Sequence, residues 1–105
     1  MIVFAGVRSA EYTEDIANGE NGESIYVHPI NSPSNSITCT VIPGGNTGKI
    51  QTTTSPKANI EAGTATWSDW AEGDVTTTTS DVIEGPVTGI RGVSVSGAIT
   101  IEIVI

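Results

Sequence analysis

Hydrophobic and polar residues alternate most regularly at the end of the chain. One face of this segment carries isoleucine at every second position, at Ile99, Ile101, Ile103 and Ile105. The other face carries Ala98, Thr100, Glu102 and Val104. A period of two residues is typical of a β-strand that buries one face. Residues 87–95 form another predicted strand, and Ser96-Gly97 indicates a tight turn, so we expect a C-terminal β-hairpin.

Shorter segments with the same period occur along the rest of the chain. We predict strands over residues 2–8, 24–30, 37–42, 49–54, 64–70 and, with a weaker pattern, 75–79. The loop at residues 43–48 predicts a hairpin between its flanking strands, and residues 58–62 fit neither pattern. About seven or eight short strands, separated by Gly- and Pro-rich turns, favour a small β-sandwich or β-barrel.

The composition supports a β fold. The chain has 14 Ile, 10 Val and 15 Thr but no Leu, which would be the usual residue of a helix core. Branched side chains at Cβ suit a pleated surface better than a helix. We therefore expect an all-β protein with mostly antiparallel strands, forming a single domain over residues 1–105.

The first 23 residues differ from the rest in being acidic and rich in turn signals. Residues 9–23 contain five carboxylates and two Asn-Gly steps, and we predict a mobile loop there. Residues 1–23 are thus a candidate flexible arm with an acidic loop, and residues 24–105 form the β core. The oxygen-bearing side chains from Asp15 to Glu23 lack the pattern of a calcium-binding loop, so a solvated acidic loop is the preferred interpretation.

The net charge of −8 argues against several classes of partner. The basic residues are only Arg8, Lys49, Lys57 and Arg91. We therefore expect no binding to nucleic acid and none to an anionic membrane. The first residues lack the pattern of a signal peptide, and no apolar run is long enough for a membrane helix, so we expect the protein in a cytoplasm or in an assembly made there.

The residues that could support chemistry are isolated. Cys39 is the single cysteine and His28 the single histidine, and Cys39 lies in a predicted strand. We expect Cys39 to be a small buried hydrophobic residue and His28 to lie at an edge or on the surface. No catalytic, phosphate-binding or metal-binding motif is present. The sequence therefore predicts no enzyme activity, cofactor or metal.

Two tryptophans and an arginine are candidate contact residues. Residues three apart in a regular strand point to opposite faces, and we predict that Trp67 is buried and Trp70 exposed. An exposed tryptophan could anchor an interface or stack on a sugar. Arg91 lies in an apolar strand, where it either pairs with an acid such as Glu102 or Glu84 or forms an intersubunit contact.

Three segments of the second half resemble one class of protein. They are residues 48–55 (GKIQTTTS), 62–70 (AGTATWSDW) and 85–91 (GPVTGIR), the last running into residues 93–103. This order of a Thr-rich strand, a Trp-containing strand and a Val-Thr-x-Ile-Arg strand resembles small structural proteins of bacteriophage virions, most closely capsid decoration or cement proteins. The resemblance covers about half the chain, and its motifs are structural rather than catalytic.

The resemblance implies a non-enzymatic protein on the outer surface of the phage head, assembled in the host cytoplasm. It would bridge subunits of the major capsid protein and could form a homotrimer. The candidate partner-binding residues are Ile2, Val3, Phe4, Arg8, Tyr12, Trp70 and Arg91. The alternatives are a carbohydrate-binding or fibre-type host-recognition module that uses an exposed tryptophan, a head–tail or tail component, and a metal-dependent binder or enzyme.

Overall fold

The computed structural model describes residues 1–4, 11–27 and 36–105. Over these ranges the chain forms nine strands and one short helix. In chain order they are β1 (Ile2–Val3), β2 (Glu11–Ile16), β3 (Ile25–Tyr26), β4 (Ile37–Ile42), β5 (Thr47–Thr53), α1 (Lys57–Ala62), β6 (Ser68–Asp69), β7 (Thr79–Ile83), β8 (Gly89–Ser96) and β9 (Ile99–Val104).

The strands form two sheets that pack face to face. Sheet A has the order β1-β3-β8-β5-β6, and sheet B has the order β2-β9-β4-β7. All pairs of neighbouring strands are antiparallel except β1 and β3, which are parallel. The predicted all-β sandwich of mostly antiparallel strands is therefore confirmed.

Alternation correctly identified the buried faces of several strands. In β9 the isoleucines at positions 99, 101 and 103 are at most 3% exposed, whereas Val104 is 53% exposed. The inward residues of β4 are Ile37, Cys39 and Val41, all fully buried. These side chains from sheet B meet Ile50 and Ile90 of sheet A, and together they form one hydrophobic core between the sheets.

Both predicted hairpins are wrong. β8 lies in sheet A and β9 in sheet B, and the same separation holds for β5 and β4. The turn at Gly97 therefore passes from one sheet to the other. Gly97 has a φ of 74°, and its N–H donates to Asn18 Oδ1 at 2.7 Å. Alternation shows which face of a strand is buried, but it does not show which strand lies beside it.

The predicted mobile loop at residues 9–23 is wrong over β2. All six residues of β2 pair with β9, from Glu11 opposite Val104 to Ile16 opposite Ile99. The alternation is concealed in the sequence because Glu14 occupies an inward position between Tyr12 and Ile16. Its two carboxylate oxygens accept the backbone N–H of Glu23 at 3.2 and 3.1 Å, which provides a polar partner for that inward charge.

Three other predictions need correction. Residues 58–62, which fitted no pattern, belong to helix α1, and Gly63 ends that helix with a φ of 74°. The strand predicted over residues 64–70 is reduced to the two residues of β6. The strand predicted over residues 75–79 instead begins at Thr79 and forms β7. Residues 5–10 and 28–30 of two predicted strands lie outside the described ranges.

Glycines in sheet A allow the two sheets to approach closely. A Cβ atom added to Gly92 would lie 2.6 Å from Ile16 Cδ1 and 2.8 Å from Ile101 Cδ1. The same atom on Gly48 would overlap Ile99 Cδ1. Isoleucine side chains of sheet B therefore occupy the space that a side chain at these glycines would fill.

In the described part of the chain, no helix is long and apolar enough to cross a bilayer.

We predict that Gly92→Ala lowers the free energy of unfolding by about 1–3 kcal/mol, because the added methyl group must displace Ile16 or Ile101. Ile101→Val in the same chain should remove part of this loss, since it shortens the side chain in conflict. Urea denaturation of both single variants and the double variant measures the coupling between the two positions.

Ser96→Ala, at an exposed position of the same strand, serves as the control and should change stability by less than about 0.5 kcal/mol. Strict additivity of Gly92→Ala and Ile101→Val would contradict the proposed contact.

Candidate functional site

The outer face of sheet A carries a connected group of polar and aromatic side chains. We call it the Arg91 face and define it by Lys49, Gln51, Trp67, Asp69 and Arg91. Strands β5, β6 and β8 lie side by side in this part of the sheet. Each of the three segments that carry the resemblance to phage proteins contributes to one of these strands or to its flanking residues. The fold therefore brings these separate segments to one surface.

Strand register determines the geometry of this surface. Gly48 and Ile50 of β5 are buried, so Lys49 and Gln51 point outward. Gln51 lies opposite Arg91 of β8 on one side and opposite Asp69 of β6 on the other. The three side chains therefore lie in one row across three strands.

Hydrogen bonds connect the row. Arg91 donates from Nε and Nη2 to Gln51 Oε1, at 2.9 and 2.8 Å. Gln51 Nε2 donates to Asp69 Oδ1 at 3.0 Å, and Lys49 Nζ lies 3.0 Å from the same oxygen. The hydrogen bonds from Gln51 and then Lys49 lower the pKa of Asp69. Asp69 is therefore held as a carboxylate, and it fixes the orientation of the Gln51 amide.

Arg91 also covers an aromatic ring. Its guanidinium carbon lies 4.4 Å from the centroid of the half-buried Trp67 ring, a cation–π contact. Partial burial lowers the pKa of Arg91, although the group stays cationic at neutral pH. Among the described residues, the side chain that accepts its hydrogen bonds is the Gln51 amide. The predicted ion pair with Glu102 or Glu84 is therefore wrong.

The predicted positions of the two tryptophans are reversed. Trp70 is 5% exposed and belongs to the core, whereas Trp67 is half-buried on the Arg91 face. Strand register explains the reversal, because Asp69 lies opposite the outward Gln51, and alternation then directs Trp70 inward and Trp67 outward. In the core, Trp70 Nε1 donates to Gly73 O at 2.7 Å. The backbone N–H of Trp70 donates to Ile50 O at 2.9 Å. As a buried residue, Trp70 cannot be the exposed contact that the sequence suggested.

The N-terminal candidate residues form a separate group. Ile2 and Val3 pair with β3 as strand β1, and Val3 is 45% exposed. Phe4 and Tyr12 make an edge-to-face contact, with ring centroids 6.1 Å apart and an interplanar angle of 72°. In sheet A, β3 separates β1 from the strand that carries Arg91. Arg8, the remaining candidate, lies outside the described residues.

The described residues offer few candidates for catalysis or metal binding. Cys39 is fully buried, which confirms its prediction as a core residue, and His28 lies outside the described residues. Burial, and secondarily the negative charge of Asp81, raises the pKa of the Cys39 thiol to about 12. Burial and the neighbouring Glu14 carboxylate raise the pKa of Tyr12 to about 12 as well. No group of three or more potential metal ligands occurs in residues 1–4, 11–27 and 36–105.

A cleft of about 200 Å³ opens where the edges of the two sheets lie apart. One wall is the end of β7, and the other is β6 with the turn that follows it. We call it the β7 cleft, and its lining residues are Thr52, Asp69, Trp70, Ala71, Asp81, Val82, Ile83 and Glu84. This cleft could not be predicted from the sequence, because the pattern of residues 75–79 did not indicate the observed boundaries of β7.

Comparison with known proteins gives a likeness of fold. No protein-family model matches the chain, and no curated protein matches it. The chain is similar to a solved structure from work on oxalate oxidase, described as "Structural and spectroscopic insights into the mechanism of oxalate oxidase". The TM-score is 0.55 and the sequence identity is 12%. The match covers 96% of this chain and 43% of that chain, so this protein spans less than half of its length. At this identity the likeness concerns the fold alone.

We predict that alkaline pH destabilises the protein through Cys39 and Tyr12. Their ordinary pKa values are 9.0 and 10.0, and both rise to about 12 in the folded state. Between these values the unfolded chain releases protons that the folded chain retains, so the free energy of unfolding falls as pH rises from about 9 towards 12. Denaturation at a series of pH values measures the slope.

Cys39→Ala and Tyr12→Phe should each make this slope shallower. Tyr26→Phe is the matched control, since it removes the hydroxyl of the other tyrosine in the chain. An unchanged slope in both test variants would show that the two groups do not cause the alkaline sensitivity.

Proposed function

We propose that this protein is a non-enzymatic structural component of a bacteriophage virion, a decoration protein that binds the outer surface of the head and bridges major capsid subunits. The observation that carries the proposal is the meeting of the three phage-like segments at the Arg91 face. These segments are separated in sequence, and they supply the adjoining strands β5, β6 and β8. If the Arg91 face binds a partner, that binding is a physical reason for the three segments to occur together.

The chemistry of the Arg91 face suits a protein partner. Tryptophan and arginine are enriched among the residues that dominate binding energy at protein interfaces. Here Trp67 and Arg91 already stack on each other, and Gln51 holds the guanidinium by two hydrogen bonds. Because these side chains are ordered before binding, their immobilisation costs less entropy when a partner covers them.

The charge distribution determines which side of the protein would face a negatively charged partner. Two of the four basic residues of the chain, Lys49 and Arg91, lie on the Arg91 face. The outer face of sheet B instead carries Glu11, Asp15 and Glu102. A partner surface with negative charge would therefore meet the Arg91 face and be repelled by sheet B.

The N-terminal residues provide a second candidate contact in the same proposal. Val3 is exposed beside Ile2 and Phe4, which pack against the core. In a homotrimer, these residues near β1 would supply the contact between copies, and the Arg91 face would be left for the capsid lattice. The trimer comes from the resemblance to decoration proteins, and the mass in solution, measured by light scattering, tests it.

Host recognition through carbohydrate is the second candidate function. The observation in its favour is Trp67, a surface tryptophan on a sheet face with polar neighbours. Arg91 covers its ring in this structure, so a sugar could stack there only after the guanidinium moves or against the other ring surface. A glycan array with the wild-type protein tests this alternative directly.

We predict that Arg91→Glu and Trp67→Ala each weaken binding to empty capsid shells of the phage by about tenfold or more, because they remove the two anchors of the Arg91 face. Co-sedimentation of purified protein with shells measures the affinity. The matched control is Lys57→Glu, which makes the same charge reversal on helix α1.

Shells that bind wild type and lose both variants, while retaining Lys57→Glu, would support the proposal. Saturable binding that neither variant changes would exclude the Arg91 face. A protein that ignores shells but binds a glycan would favour the host-recognition function, whereas attachment confined to tails would indicate a tail or head–tail component.

A further inference from the structure

We propose that the β7 cleft binds an extended, basic segment of another protein, which adds a strand to the free edge of sheet B. The site lies at a sheet edge, whereas the proposed function concerns the Arg91 face. Asp69 belongs to both, but the two surfaces can be tested separately. Loss of capsid binding through the Arg91 face would therefore leave binding at the β7 cleft unaffected.

One edge of β7 is unpaired among the described residues. β7 is the last strand of sheet B and pairs with β4 from Thr79 opposite Val41 to Ile83 opposite Ile37. Within the described residues, no strand pairs with its other side. Residues 81–84, which line the cleft, are consecutive. The backbone at this end of β7 is therefore reachable from the cleft, as strand addition requires.

The opposite edge strand of sheet B, β2, is partly covered by residues from elsewhere in the chain. On β2, the inward Glu14 side chain accepts a hydrogen bond from the Tyr12 hydroxyl, and its two oxygens share the backbone N–H of Glu23. Phe4 packs edge-on against Tyr12 in the same region. A cleft of about 340 Å³ also adjoins β2, lined by Glu11, Tyr12, Thr13, Glu102, Ile103 and Val104, so available space alone does not distinguish the two edges. The contacts that Phe4 and the Glu23 backbone make with β2 are what separate it from β7.

The negative charge of the β7 cleft favours a positively charged occupant. Three carboxylates line the cleft, on Asp69, Asp81 and Glu84. Lys49 neutralises Asp69, whereas the described contact of the Asp81 carboxylate is the backbone N–H of Val82 at 2.8 Å. Asp81 lies opposite the inward Cys39, whereas Val82 lies opposite the outward Thr38 and shares its side of the chain with Glu84. A basic residue facing inward would therefore pair with Asp81, and one facing outward would pair with Glu84 and pack its aliphatic stem on Val82, which is 44% exposed.

The same charges disfavour a second copy of this chain. β7 reads TSDVI and is followed by Glu84, so it contains no basic residue. Pairing two copies of β7 would place carboxylates of both strands close together, where like charges are destabilising. A basic, extended segment from a different protein satisfies both the backbone edge and the carboxylates.

The probe is a fluorescein-labelled eight-residue peptide of alternating Lys and Val, added to the full chain and followed by fluorescence anisotropy. We expect saturable binding that weakens in high salt, with amide shifts in the NMR spectrum over residues 79–84 and 68–71. Asp81→Asn combined with Glu84→Gln should weaken binding about three- to tenfold, because the cavity is kept and only the charge is lost.

Two controls separate strand addition from general attraction to an acidic protein. A peptide of alternating Lys and Pro keeps the charge but cannot provide backbone donors at alternate positions, and it should not bind detectably. Glu11→Gln removes a charge from the far edge strand and should leave the affinity unchanged. Equal binding of both peptides, equal effects at Glu11 and in the cleft, or absence of binding would each overturn the proposal.

Discussion

The close approach of the two sheets depends on glycines of sheet A that face isoleucines of sheet B. Gly92 leaves space for Ile16 and Ile101, and Gly48 leaves space for Ile99. A larger residue at either glycine would separate the sheets or force the isoleucines out of their positions. Since β-branched side chains have few rotamers, the fit depends on strand position more than on side-chain adjustment.

This packing also determines the two candidate binding surfaces. Because Gly48, Ile50 and Gly92 point inward, the alternating residues Lys49, Gln51 and Arg91 must point outward. The register between β5 and its neighbours then aligns Gln51 with both Arg91 and Asp69. At the β6 and β7 edges, where neither sheet has a further described strand, the β7 cleft remains. One packing arrangement therefore produces an ordered face and an open edge.

The candidate site was only partly predictable. The sequence pattern indicated that Arg91 and the two tryptophans are unusual residues. The acid partners predicted for Arg91 were wrong, and the predicted burial of Trp67 and exposure of Trp70 were reversed. Gln51, the principal partner of Arg91, gave no signal because an isolated amide in a Thr-rich strand has no distinctive pattern. Its role arises from cross-strand register, which joins residues that are 40 positions apart in the chain.

The sequence by itself determined the all-β class and the buried faces of β4 and β9, because side-chain alternation and β-branching act within one strand. Only the tertiary structure decided which strands are neighbours. β8 and β9 follow each other across a short turn and yet enter different sheets. A turn restricts the path of the chain, whereas strand pairing depends on which buried faces fit together. That fit involves residues distant in sequence, so the Arg91 face and the β7 cleft appeared only once the sheets were assembled.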